Sequence, residues 1–221
     1  MDNFIIKKRS RSTKKKEPEG GINVYTDGAC IDNGKPYARA GYGVYFGVND
    51  PRNVSESYKG LQTNNVAELL AIIKAMTILK ENIMNGEVVN IYSDSRYAIR
   101  CCTTYGKKCH KNNWINPNNK NKPIPNLEIV QVAYIFSKDY KNINFKHIKA
   151  HTGFQDEHSL GNENADRLAN ESIGINYIDH YLTVGYFSFV LTVLSIVALI
   201  TYYIGSSLEL IIWNLRFFCN F

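Results

Sequence analysis

Residues 22–172 change hydrophobic period along the chain, and that change constrains the fold more than any other feature. Ile22-Asn23-Val24-Tyr25-Thr26 alternates with period two and meets Asp27-Gly28, so it reads as a strand running into a turn. Residues 42–46 and 53–58 repeat the strand pattern, with Gly and Asp-Pro signals between them, and a three-stranded antiparallel meander is expected. Thr63-Asn64 then offers an N-cap, and Leu69, Ile72, Ile73, Met76, Leu79 and Ile83 follow at helical spacing until Gly86. Residues 88–92 form a short β-branched run ending at Asp94, and Ser95 caps a helix to about Thr103. Residues 105–126 read as a long basic loop with five Lys, Trp114 and three prolines. A helix over 127–136, a strand over 143–148 and a helix over 162–172 complete the order β-β-β-α-β-α-(loop)-α-β-α. That order describes one mixed α/β layer fold.

Net charge is confined to one end. The net charge of +6 arises in residues 1–16, where seven basic residues face one acid; residues 17–181 hold 18 of each sign. Any basic surface on the folded part must therefore be a local patch. Residues 1–20 are expected to be a disordered arm, read as a nuclear-localisation patch, a nucleic-acid tether or a solubilising terminus. Five cysteines, an odd number, with no secretory leader ahead of them, argue against a disulfide scaffold and for an intracellular, reducing compartment. Cys101, Cys102, Cys109 and His110 match no regular zinc spacing and read as packing residues. Residues 182–204 contain no charged side chain over 23 positions, against about 20 needed to span a bilayer core. After a linker over 175–181 they form a candidate transmembrane helix, with a short tail over 205–221. Nuclear, cytoplasmic and membrane-anchored locations all stay open, as does the oligomeric state.

Four acids stand out by position. Asp27 ends the first strand, Glu68 lies at the inner edge of the first long helix, Asp94 ends the fourth strand, and Asp166 opens the last helix. In open α/β sheets, sites gather beyond strand carboxyl ends, and Asp27 and Asp94 neighbour each other there if their strands pair. Crowded carboxylates repel unless cations neutralise them, and hard oxygen ligands favour Mg²⁺ or Mn²⁺. Taken singly, each acid also fits turn or helix-dipole chemistry.

Four signatures in a fixed order join these acids: Tyr25-Thr26-Asp27-Gly28-Ala29-Cys30, Thr63-Asn64-Asn65-Val66-Ala67-Glu68-Leu69, Tyr92-Ser93-Asp94-Ser95-Arg96-Tyr97, and Lys149-Ala150-His151-Thr152-Gly153 followed by residues 161–169. Over residues 21–174 the chain resembles the type 1 ribonuclease H family. The resemblance implies a ribonuclease H-like fold, with a mixed five-stranded sheet flanked by helices, joined here by the C-terminal hydrophobic helix. It implies an endonuclease that hydrolyses the RNA strand of RNA–DNA hybrids to 5′-phosphate and 3′-hydroxyl ends. Asp27, Glu68, Asp94 and Asp166 would ligate two Mg²⁺ ions, for which Mn²⁺ can substitute, and His151 would serve proton transfer or product release.

The same resemblance assigns RNA 2′-hydroxyl contacts to backbone near Gly28 and Cys30 and to Asn33, Asn64 and Asn65. Thr63 and Asn126 match positions that grip a DNA phosphate, and Lys107, Lys108 and Lys111, with Lys120 and Lys122, form a basic protrusion that also carries Trp114. The chain departs from the pattern where Tyr105 and Cys109 replace tryptophans. It departs again in a five-residue excess between His151 and Asp166, including Asp156, Glu157 and His158, which would lengthen the loop. A catalytically silent module, a DNA resolvase or integrase of the superfamily, and a membrane adaptor are the competing readings. An intact tetrad disfavours the first, Asn64-Asn65 and His151 the second, and only 182–204 supports the third. The 20 residues ahead of the core are too few for a separate hybrid-binding domain.

Overall fold

Successive side chains of a strand point to opposite faces, so β1 (Ile22–Ile31) can be covered on both sides. The protein is seen here as a computed structural model that describes residues 20–116, 119–150 and 153–175, together with Thr192 and Ser195. β2 (Arg39–Tyr45) and β3 (Val54–Tyr58) add to β1 antiparallel, while β4 (Val89–Ser93) and β7 (Ile143–His147) add to its other edge in parallel. The result is the expected mixed five-stranded sheet, in the order β3-β2-β1-β4-β7.

On one face, α1 (Asn64–Ile78) lays Leu69, Ile72 and Met76 against Val24, Val44, Val89 and Ile91. The Thr63 hydroxyl caps this helix by accepting from the Val66 N–H at 3.3 Å. The helical pattern through Ile83 is broken once, at Leu79, after which α2 (Lys80–Met84) continues it. α3 (Arg96–Cys102) and α5 (Leu127–Ser137) complete this layer, with the Ser95 hydroxyl accepting from the Ala98 N–H at 3.2 Å. On the other face, α6 (Glu157–Ser172) crosses β1 and β2 and packs Ala165 and Leu168 against Tyr25, Tyr45 and Tyr92. Beside it, Asn23, Asn90 and Asn144 stand side by side on β1, β4 and β7, joined by amide-to-amide hydrogen bonds of 3.0 Å from Asn144 to Asn90 and from Asn90 to Asn23.

Three expectations need correction. β1 does not turn at Asp27-Gly28. It runs on to Ile31 because residues 27–31 pair with Gly43–Arg39 of β2, although pairing with β4 stops at Thr26 and Ser93. Residues 105–126 are not a plain loop. They hold most of α4 (Thr104–Lys111) and a hairpin of β5 (Ile115–Asn116) and β6 (Asn119–Pro123). α4 is polar overall, with Cys109 buried and Tyr105 packed against the core, so its composition reads as loop. A Cβ at Gly106 would overlap the Cys101 carbonyl and crowd Tyr134, so only glycine lets α4 come so close. Cys101, Cys102 and Cys109 are buried packing residues, as expected.

The third correction is to α6, which begins at Glu157 and not near Asn162. Asp166 therefore lies inside the helix and does not open it. Asp156 is the N-cap, its Oδ1 accepting from the N–H groups of His158 and Ser159 at 3.1 Å each. The added turn is held by the sheet: the His158 ring stacks on Tyr92 at 4.3 Å, and its Nδ1 lies 3.0 Å from the Tyr25 hydroxyl. Asp156, Glu157 and His158, expected to lengthen the loop, instead cap and begin the helix. The arm over 1–20 (Gly20 apart), His151, the linker (Ile175 apart), residues 182–204 (Thr192 and Ser195 apart) and the tail lie outside the described residues. Among those described, no helix is long and apolar enough to cross a membrane.

If Asp156 caps α6, replacing it with Ala should lower stability, because the N–H groups of His158 and Ser159 lose their acceptor. Denaturant midpoints of Asp156→Ala and the parent chain measure this, and an unchanged midpoint would place the helix start elsewhere.

Candidate metal centre

Asp27 is the first residue of β1 beyond its pairing with β4, and Asp94 is the first residue after β4. The two parallel strands thus present their carboxylates side by side. Glu68 reaches them from the first turns of α1, which passes so close to β1 that a Cβ on Gly28 would overlap the backbone of Ala67 and Glu68. Glycine serves here for approach, not for the turn that Asp-Gly suggested. One carboxylate oxygen from each of Asp27, Glu68 and Asp94 lies within 4.8 Å of the other two.

Asp27 and Glu68 are each only 6% exposed. Burial, then the nearby Asp94 and Asp166, pushes the Asp27 carboxyl well above the ordinary carboxylate range, while the Gly28 N–H, 2.8 Å from its Oδ1, opposes that shift. Burial, then Asp27 and Asp94, does the same to Glu68. Among the described residues, Glu68 Oε2 is buried without a hydrogen-bond partner. An orphaned acceptor among oxygen-only donors with repelling charges is the environment that a hard divalent cation relieves. The residues fit such an ion.

Asp166 comes from α6 on the other face and stands within reach of Asp27, but outside the three-carboxylate group. Of the fourfold set expected from the sequence, three gather tightly and the fourth sits at their edge. His151 lies outside the described residues.

The other candidate residues surround this centre unevenly. Asn64 and Asn65 are exposed at the start of α1, next to Thr63. Asn33 is exposed in the turn after β1, with its Oδ1 3.9 Å from the Cys30 thiol. Asn126 has left-handed backbone, and its amide donates to the Tyr97 hydroxyl at 3.0 Å. Lys107, Lys108 and Lys111 are exposed on α4. Trp114 follows in left-handed backbone, φ 62°, with its N–H on the Cys109 carbonyl at 2.8 Å and its ring edge-on to His110 at 5.6 Å.

Sequence reading missed three supporting residues. Gln62 ties the segment before Thr63 to the meander: its Oε1 accepts from the Ala40 N–H at 2.5 Å, and its Nε2 donates to the carbonyls of Tyr58 and Gly60. His147 Nε2 lies 3.1 Å from the Asp94 carbonyl, which can only accept, so this nitrogen carries a hydrogen. Asn170 bonds the Asp166 carboxylate, and a spacing of i, i+4 on a helix was the available signal.

Similarity to known proteins bears on this centre. Ribonuclease H of Schizosaccharomyces pombe is 41% identical over 147 residues, which is 66% of this chain and 50% of that protein. Ribonuclease H1 of Homo sapiens is 38% identical over 150 residues, 68% of this chain and 49% of that protein. The chain thus spans about half the length of these curated relatives. The solved PFV RNase H domain superposes with a TM-score of 0.52 at 23% identity, over 68% of this chain and 93% of that domain, a likeness of fold. The family model described as RNase H matches residues 19–173, the stretch that carries the sheet and all four acids. A match over more than half of the chain establishes that it belongs to the RNase H family, as a type 1 member.

Proposed function

We propose that this chain is an endonuclease that hydrolyses the RNA strand of RNA–DNA hybrids, with Asp27, Glu68, Asp94 and Asp166 holding two divalent ions. The observation that carries this reading is the buried meeting of Asp27, Glu68 and Asp94 around an unpartnered Glu68 oxygen. Mg²⁺, or Mn²⁺ in its place, supplies Lewis-acid stabilisation of charge on the attacking and leaving oxygens of the phosphodiester. The protein's part is to hold the carboxylates of Asp27, Glu68 and Asp94 at one point, with Asp166 of α6 at their edge, and to keep them from relaxing apart. His151 is the residue assigned to take or give a proton near neutral pH, through its imidazole nitrogens.

Selection of the hybrid falls to two sets of groups. The side-chain amides of Asn33, Asn64 and Asn65, with backbone at Gly28 and Cys30, donate and accept, as a ribose 2′-hydroxyl does. Thr63 and Asn126 are assigned to a DNA phosphate. Lys107, Lys108 and Lys111 offer charge without sequence preference, and Trp114 flanks them. The left-handed turn at Asn126 and the pinning of the segment before Thr63 by Gln62 support fixed positions for the phosphate pair.

Asp27→Asn keeps side-chain shape and removes one of the repelling charges. Cleavage of labelled hybrid should fall by more than about 100-fold, beyond the usual cost of losing an outer-shell partner. The metal-free protein should be as stable as the parent or more so. Near-parental cleavage would remove Asp27 from the site.

The raised carboxyls set the sign of a pH effect. Above the ordinary carboxylate range of about 4, the unfolded chain loses protons that folded Asp27 and Glu68 retain, so stability falls as pH rises through that window. In chelator, the denaturant midpoint should decline as the pH rises above about 4.5, the loss should shrink in Asp27→Asn, and Mg²⁺ should reverse it. A midpoint that rises over this range, in chelator and in both proteins, would contradict the proposed crowding.

Replacing Asn64 and Asn65 with Ala should weaken hybrid cleavage and leave the salt dependence of binding unchanged. Replacing Lys107, Lys108 and Lys111 with Ala should flatten that dependence, by up to about 0.9 in log–log slope for each phosphate that is no longer neutralised. The opposite partition would overturn the assignment.

A further inference from the structure

Among the four acids, Asp166 alone stands outside the tight carboxylate group, at its edge beside Asp27, and the direction of its carboxylate depends on the groups that hold it. One turn later on α6, the amide nitrogen of Asn170 lies 2.7 Å from Asp166 Oδ1 and 2.9 Å from the Asp166 main-chain oxygen. An amide nitrogen carries two hydrogens. One anchors the Asn170 side chain to the helix backbone and the other grips the carboxylate, so both hydrogen bonds fall on the same residue. Fixing Oδ1 relative to the backbone of its own residue restricts the plane of the carboxylate, and with it the direction of Oδ2.

The nearest cation on the helix does not do this work. Arg167 Nη1 pairs with Glu171 at 2.7 Å, and its Nη2 lies 3.5 Å from Asn164 Oδ1. A neutral donor orients a carboxylate without adding positive charge to a place where a cation is to bind, whereas a guanidinium there would compete with that cation. We propose that Asn170 is a positioning residue that aims the Asp166 carboxylate at the metal centre, and so sets the divalent-ion concentration at which the centre fills. The proposal rests on the metal-dependent nuclease reading and deepens it.

The test compares Asn170→Ala and Asn170→Asp with the parent in the full chain. Ala is the better helix former, so the first variant should fold with an undiminished thermal midpoint. The second is isosteric but replaces the donor by a charge that repels Asp166. Two readouts are taken: the Mg²⁺ concentration for half-maximal hybrid cleavage, and the Kd for Mn²⁺ titrated calorimetrically into protein without substrate. Loss of an outer-shell partner typically weakens metal binding by about 10–100-fold, so Asn170→Ala should raise both values by about 10-fold, and Asn170→Asp by more. In an Asp166→Asn background, Asn170→Ala should leave the Mn²⁺ Kd unchanged.

Parental metal dependence in both variants would overturn the proposal. So would an equal shift in Kd from Asn170→Ala whether or not Asp166 is a carboxylate, because Asn170 would then act on something else. A parent chain that cleaves no hybrid at any Mg²⁺ or Mn²⁺ concentration would overturn the nuclease reading instead. The calorimetric comparison, which needs no substrate, would still decide whether Asn170 aims Asp166.

Discussion

Two buried carboxylates and a third beside them repel, and a fold that gathers them must hold each on an element that cannot move away. Parallel pairing of β1 with β4 does most of this. It ends at Thr26 and Ser93, which leaves Asp27 and Asp94 level with each other at the edge of the paired region. Glu68 arrives on a helix pressed against β1 at Gly28. The backbones that carry them cannot move apart without unzipping a central strand or lifting α1 from the core. The raised pKa of Asp27 and of Glu68 is the electrostatic cost of this placement, held against the sheet's hydrogen bonds and the apolar packing of Leu69, Ile72 and Met76.

How legible this was depended on how local each signal is. The alternation of residues 22–26 and the spacing of Leu69, Ile72 and Met76 are local, and the first strand and α1 followed from them, whereas the five-stranded sheet followed from the family resemblance. The neighbouring of Asp27 and Asp94 was conditional on one pairing, and that pairing occurs. Asp-Gly misled because its usual chemistry is a turn, whereas Gly28 answers to a helix that comes much later in the chain. The start of α6 was missed because Asp156 caps a turn whose His158 docks on β1 and β4, partners that no window of sequence displays. α4 was missed because its mostly polar composition, interrupted by Gly106, reads as loop, and the close approach that requires that glycine involves Tyr134 of a later helix.

The early start of α6 also changes how the second face of the sheet relates to the site. His158 and Glu157 dock on Tyr25, Tyr92 and Asn23, while Asp166 sits more than two turns further along the same rod. A helix fixed at its first turn and packed through Ala165 and Ala169 has little freedom to rotate. The direction of Asp166 is thus decided first by helix docking and then, at finer scale, by the amide one turn further along.

The amide row of Asn23, Asn90 and Asn144 has a consequence for how faithfully strands align. Strand register has period two, so a one-residue slip of β4 against β1 would turn Asn90 toward the apolar layer under α1 and bring Ile91 or Val89 out among the amides. Such a slip would also shift Asp94 by about 3.3 Å relative to Asp27, many times the roughly 0.2 Å that metal-ligand distances tolerate. Three asparagines set apart from the acids thereby act as a key cut into the sheet, admitting only the alignment in which the acids meet.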